Sequence, residues 1–97
     1  MTLYRQGCEG GDAHGCTLLG SMFLDGRGIA QDKGQALALY RRGCDSGDGS
    51  GCTNLGLLLE DGNGVTQDKA QASAWYRKGC DVGDAEGCSR VKKLPQK

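Results

Sequence analysis

The sequence has few aromatic side chains, a single proline, a single histidine and no net charge. Only five of its 97 residues are aromatic (one Trp, three Tyr, one Phe), which excludes a large aromatic core. Twelve Lys and Arg balance twelve Asp and Glu. Because a neutral chain without a basic stripe lacks the electrostatic footprint of a nucleic-acid-binding protein, we expect no nucleic-acid partner. No apolar run approaches the roughly 20 residues that cross a bilayer, so no membrane span is predicted.

Cysteine and glycine, in contrast, are abundant, with 6 and 18 residues respectively. An even number of regularly spaced cysteines in a short chain is typical of a disulfide framework formed in an oxidising compartment. Residues 1–5 contain neither the charged nor the apolar region of a signal peptide. Either an export signal lies outside this chain, or the thiols stay reduced in a cytosol. We favour the first alternative and expect a periplasmic or secreted protein.

The glycines and cysteines recur in register along the chain. Cys8, Cys44 and Cys80 are 36 positions apart, and 20 of the first 36 residues are identical to their counterparts one period later. Such self-similarity indicates a tandem-repeat architecture.

The middle copy predicts the structure of one unit. Asp32 is a good N-cap for a first helix, called helix A, whose apolar face is spaced at intervals of four residues. Gly47 supplies the left-handed position that ends it, and Asp48 caps a second helix, helix B, which ends at Gly62. Since one hairpin cannot bury its apolar face alone, the units are expected to stack.

We therefore predict an all-α fold, an α/α superhelix (solenoid) of three antiparallel helical hairpins. It forms a single tandem-repeat domain over 1–97 with repeats at about 1–31, 32–67 and 68–97, of which the first helix is truncated. Lys92 and Lys93 stand in the last helix where the middle copy has glycine and leucine. They predict the polar outer face of a capping repeat. The protein is expected to be a monomer.

Two glycines, Gly20 and Gly56, lie inside helix B at the same repeat position. Glycine in a helix interior costs about 1 kcal/mol relative to alanine, so a shared packing reason is expected. The missing side chain would let a neighbouring helix approach closely.

Each pair of cysteines is separated by eight positions centred on a turn aspartate. Six cysteines allow 15 pairings, and the repeat favours the three local ones. The pairs are Cys8 with Cys16, Cys44 with Cys52, and Cys80 with Cys88. A loop this short contributes roughly 2–3 kcal/mol per bridge. The alternatives are a zinc site or a redox-active pair, but the spacing fits neither ligand pairs nor a Cys-x-x-Cys motif. We expect no metal and no cofactor.

The repeated residues resemble the Sel-one-like repeat family, relatives of the tetratricopeptide repeats, and within it the cysteine-rich Helicobacter branch. The resemblance covers essentially the whole chain and rests on Ala36, Tyr40, Gly43-Cys44, Gly47, Gly51-Cys52, Leu55-Gly56, Gly62-Asn63-Gly64-Val65, Asp68 and Ala72. The family usually has alanine at the positions of Gly43 and Gly51. The resemblance implies a right-handed superhelix with one disulfide per hairpin and an adaptor that binds proteins or peptides. It also implies export and, as an alternative function, penicillin binding or weak β-lactamase activity.

A Ser-x-x-Lys motif of the serine β-lactamase type occurs once, from Ser89 to Lys92. Its mechanism needs Ser-Asp-Asn and Lys-Thr-Gly elements opposite the serine, and the sequence has neither. His14 is the sole histidine, which argues against metal-dependent hydrolysis as well. We therefore assign no catalytic residue, and the enzyme remains the alternative to the binding scaffold.

Candidate ligand-facing residues lie on the helices A of the second and third units. Trp75 is the main one, because aromatic side chains often anchor a partner at hot spots, although core packing is the other interpretation of Trp75 and Tyr76. The polar candidates are Gln35, Arg42, Gln71 and Lys78. Since the inner surface of so few repeats is small, we expect roughly micromolar peptide affinity.

Overall fold

The computed structural model describes residues 2–62 and 66–93, with side chains from residue 5 onwards. The described residues form six α-helices and no strand. The helices are α1 Thr2–Glu9, α2 Ala13–Asp25, α3 Lys33–Asp45, α4 Gly49–Asp61, α5 Lys69–Asp81 and α6 Ala85–Lys93. The predicted all-α fold is confirmed. The Asn63-Gly64-Val65 part of the motif lies outside the described residues.

Three hairpins, α1–α2, α3–α4 and α5–α6, stack side by side, because α2 packs along α3 and α4 packs along α5. The stack measures 44 × 25 × 15 Å, the elongated shape of a short solenoid. Each hairpin turn contains a glycine in the left-handed region, with φ of 95° at Gly11, 103° at Gly47 and 98° at Gly83. Side chains rarely adopt this conformation, which explains why glycine recurs there.

The helix starts follow the predicted side-chain capping at α3 and α5 and depart from it at α4. The Asp32 carboxylate accepts a hydrogen bond from the Gln35 amide at 3.1 Å, and Asp68 accepts one from Gln71 at 3.0 Å. Asp48 has the backbone conformation of an N-cap, but its side chain bonds no first-turn amide of α4. The expected Asp48 side-chain cap is therefore wrong, because that carboxylate accepts the Ser50 hydroxyl instead.

The core lies where helix B of one hairpin meets helix A of the next. Its buried side chains are Ala36, Tyr40, Leu55, Leu58, Leu59, Ala72 and Tyr76. The ring of Tyr40 lies against Gly20, where a Cβ would be 3.0 Å from two ring carbons. Tyr76 lies against Gly56 in the same way. The close approach predicted for the two glycines is thus confirmed.

The tyrosine hydroxyls reach the surface of the neighbouring helix B. Tyr40 shares a hydrogen bond of 2.9 Å with Ser21, and Tyr76 donates to the carboxylate of Glu60. Burial raises the pKa of Tyr40, and burial together with Glu60 raises the pKa of Tyr76. Both hydroxyls consequently stay protonated at neutral pH.

Lys92 and Lys93 are exposed on α6, as expected for a polar outer face. Lys92 stands at the repeat position of Gly56, so the contact that Tyr76 makes with Gly56 has no counterpart there. None of the helices in the described part of the chain is long and apolar enough to cross a membrane.

Candidate functional site

All three hairpins are closed by a local disulfide. The Cα–Cα distances are 4.4 Å for Cys8–Cys16, 4.6 Å for Cys44–Cys52 and 4.4 Å for Cys80–Cys88. All six cysteines are paired in these three bridges.

The three bridges differ in exposure. The four cysteines of the first two bridges are at most 2% exposed, whereas Cys80 and Cys88 are partly exposed. A further hairpin follows each of the first two bridges, while α6 packs chiefly against α5 and α4. The third bridge is therefore the one that solvent and reductants reach most easily.

A buried threonine at each junction explains the glycines that flank the cysteines. A Cβ on Gly43 or Gly51 would lie 2.4 or 2.8 Å from the Thr17 hydroxyl. In the next unit, Gly79 and Gly87 enclose Thr53 at 2.6 and 2.8 Å. Alanine at these positions does not fit around a threonine placed this way. The sequence analysis missed this contact, although the shared period of threonine and glycine was a usable signal.

The threonines belong to polar clusters at the hairpin turns. Thr53 donates to Asp84 at 2.5 Å, and the same carboxylate accepts the Gly87 amide at 3.0 Å. Burial alone would raise the pKa of Asp48. The hydroxyls of Thr17 and Ser50 together with His14 lower it by more than burial raises it, so the pKa lies below its usual value. The His14 ring nitrogen is 3.5 Å from Asp48. These clusters link one hairpin to the next.

A shallow depression of about 230 Å³ lies between the turns of the second and third hairpins. It is lined by 47–50 and 82–84, and Val82 is the large hydrophobic side chain exposed there, at 49%. Backbone and small side chains make up most of this surface, which offers little to hold a ligand.

The most distinctive exposed cluster surrounds Trp75 on α5. The indole packs against the edge of the core and is partly buried. The Lys78 ammonium is 5.2 Å and the Arg41 guanidinium 5.8 Å from the ring centroid, within cation–π range. Asp45 pairs with both cations, at 3.5 Å from Lys78 and 4.0 Å from Arg41. We call the exposed surface of α3 and α5 around this indole the helix-A face.

The predicted ligand-facing residues are only partly brought together. Trp75 and Lys78 are in contact, and Gln71 lies one helical turn before the indole on α5. Gln35 and Arg42 are exposed on α3, yet no interaction joins either side chain to Trp75 among the described residues. Their role as ligand contacts stays a prediction.

Two members of the cluster around Trp75, Arg41 and Asp45, were not among the ligand-facing residues predicted from the sequence. The sequence places Arg41 and Arg42 side by side, and helical periodicity alone does not tell which of them faces the next hairpin. In the structure it is the Arg41 guanidinium that lies over the Trp75 ring.

The Ser-x-x-Lys motif lies on the outer helix α6. Ser89 and Lys92 are both exposed, and within the described part of the chain their side chains form no hydrogen bond to each other. Ser89 occupies the repeat position of Thr53, which is buried under the following hairpin. Among the described residues, none is hydrogen-bonded to the Ser89 hydroxyl as an activating base would be.

Comparison with known proteins identifies the architecture. The sequence profile of the Sel1 repeat matches two adjacent units, at 13–48 and 49–84. The chain belongs to the Sel1 repeat family. Each matched unit combines helix B of one hairpin with helix A of the next, whereas the predicted repeats begin with helix A. No curated protein sequence matches this Sel1 chain.

Solved structures of similar fold include other Sel1-type solenoids. A Sel1 repeat protein from Oxalobacter formigenes superposes with a TM-score of 0.88 at 29% identity, over 93% of this chain and 37% of that one. A protective antigen of uropathogenic Escherichia coli with an SLR fold superposes with a TM-score of 0.83 at 30% identity, over 91% of this chain and 19% of that one. Cysteine-rich protein B of Helicobacter pylori superposes with a TM-score of 0.85 at 29% identity, over 90% of this chain and 65% of that one. This chain therefore spans less than two thirds of the length of each.

Proposed function

We propose that this Sel1 chain is a binding scaffold for a protein or peptide, and that the helix-A face is its contact surface. The observation that carries the proposal is Trp75, a large aromatic side chain left partly exposed between two cations on a small protein with only five aromatic residues. Aromatic and arginine side chains contribute most of the binding free energy at interfaces.

The disulfides support a scaffold role through rigidity. Each hairpin is closed near its turn, and Arg41 and Trp75 belong to two successive hairpins linked by a continuous buried core. A surface that is ordered before binding loses less conformational entropy when the partner docks. We expect roughly micromolar affinity, since the face is formed by few helices.

The location we propose is the periplasm or the extracellular space. Three disulfides in a chain of 97 residues fit an oxidising compartment, because cytosolic thiols are kept reduced. We also propose that the protein is monomeric, since Val82 is the large hydrophobic side chain that stands exposed among the described residues.

The proposal is tested by selecting peptides from a random display library on the oxidised protein. Binders are then compared on wild type and Trp75→Leu. Leucine stands at the corresponding position 39 of the preceding repeat, so this variant should keep its fold. We expect at least tenfold weaker binding by the variant, as for a hot-spot aromatic residue. Peptides that bind wild type and variant equally would contradict the helix-A face as the contact surface. A selection that yields no binders would contradict the binding function itself.

A further inference from the structure

We infer that the helix-A face selects an acidic peptide segment, one in which carboxylates flank an apolar residue. This inference rests on the proposed function and names the chemistry of its partner. It follows from the charges around Trp75 and from the way those charges are paired.

The carboxyl-terminal halves of α3 and α5 carry more positive than negative side chains. The exposed cations are Arg41, Arg42, Arg77 and Lys78. The acidic residues of the same helix segments are Asp45 and Asp81. A chain that is neutral as a whole thus has an excess of positive charge on the helix segments that border its partly exposed indole.

Most of this positive charge is available to a partner. Asp45 is shared between Arg41 and Lys78, so one carboxylate serves two cations. Arg42 and Arg77 make no ion pair within the described residues. An incoming carboxylate can accept two parallel hydrogen bonds from the exposed Arg42 guanidinium. Another can compete with Asp45 for Lys78.

The indole supplies the apolar part of the recognition. Lys78 and Arg41 lie beside its ring, so a carboxylate bound to either cation brings the neighbouring peptide side chain next to Trp75. Gln71 lies one turn away on the same helix, and its amide can donate to or accept from a peptide backbone. These groups match an acidic, partly apolar segment better than a basic or a purely polar one.

The experiment uses three synthetic peptides that differ only in carrying glutamate, glutamine or lysine around one central leucine. Trp75 is the sole tryptophan of the chain, so its fluorescence reports directly on the site. We expect the glutamate peptide to bind about tenfold more tightly than the glutamine peptide, with the difference shrinking at high salt. We expect no binding of the lysine peptide.

Charge variants separate the acidic preference from general binding. Arg42→Gln and Lys78→Gln should each weaken binding of the glutamate peptide about two- to fivefold, the range for exposed ion pairs, and weaken binding of the glutamine peptide less. Asp45→Asn should strengthen binding of the glutamate peptide, because it removes the carboxylate that competes with the peptide for Arg41 and Lys78. Lys92→Gln, the same charge change on α6, is the matched control and should have no effect.

Failure of this inference differs from failure of the proposed function. Equal affinity of the three peptides, or loss of binding in Lys92→Gln as large as in Arg42→Gln, overturns the acidic preference. If library binders nevertheless depend on Trp75, the scaffold function stands. If neither the three peptides nor any library peptide binds, both are overturned.

Discussion

Tyr76 occupies the space that a side chain at position 56 would need, since a Cβ on Gly56 would be 2.7 Å from Tyr76 Cε1. The same pairing of tyrosine and glycine joins Tyr40 to Gly20. Each tyrosine comes from helix A of the following hairpin, so the repeat interface depends on the absence of one methyl group.

Gly56→Ala should therefore destabilise the protein although alanine is the better helix former. We expect a loss of about 1–3 kcal/mol, the usual cost of overpacking a core, measured by urea unfolding of the oxidised protein. Gly34→Ala is the matched control, because Gly34 is exposed in α3 and its added Cβ would be 3.4 Å from one carboxylate oxygen. It should be neutral or stabilise by up to about 1 kcal/mol. A stabilised Gly56→Ala would contradict the packing account.

The hydroxyl of Thr53 should be worth more than its methyl group. Thr53→Val keeps the shape but removes the hydrogen bond to Asp84, and it leaves a partly buried carboxylate with one donor fewer. We expect a loss of about 1.5–3 kcal/mol, as for a hydrogen bond to a charged group. Thr53→Ser, which keeps the hydroxyl, should lose less in the same unfolding experiment. Equal losses in the two variants would show that the hydroxyl group contributes no more to stability than the methyl group does.

The Cys80–Cys88 bridge should be reduced before the other two, because only its sulfurs belong to partly exposed residues. Limiting reductant followed by alkylation and peptide mass mapping should label Cys80 and Cys88 first. Addition of urea serves as the control, since unfolding exposes all three bridges equally and should abolish the order. Early labelling of Cys44 or Cys52 in native buffer would contradict the expected order.

Protonation of the Asp48 carboxylate at low pH should lower the free energy of unfolding. Its pKa is lower in the folded protein than the ordinary value of 3.8, so the ionised form favours folding. This contribution is complete above the ordinary pKa and is lost as pH falls through the lower, folded pKa. Ser50→Ala removes one of the hydroxyls that lower the pKa, and the acid loss should become smaller. Urea unfolding between about pH 2 and pH 5 measures both, and identical slopes in wild type and variant would contradict the assignment.

Much of the architecture was predictable because the information is local and repeated. The 36-residue period, the caps at Asp32 and the glycine turns depend on backbone preferences within a few residues. The spacing of eight residues across each turn likewise places the two cysteines of a hairpin opposite each other. Repetition strengthened each of these signals, since a pattern found once was found again one period later.

The contacts between hairpins were decided by tertiary structure alone. Whether Arg41 or Arg42 faces Trp75, whether the Asp48 carboxylate caps its helix or binds a serine hydroxyl, and which bridge stays exposed all depend on how one hairpin crosses the next. Successive residues of a helix are rotated by roughly 100° about its axis. Periodicity therefore predicts which side of the helix is buried, but not which of two adjacent residues at the edge of that side contacts the next hairpin. The angle and offset between stacked hairpins arise only in the tertiary packing, where tyrosine lies on glycine, threonine lies between glycines and the leucines of the core are buried.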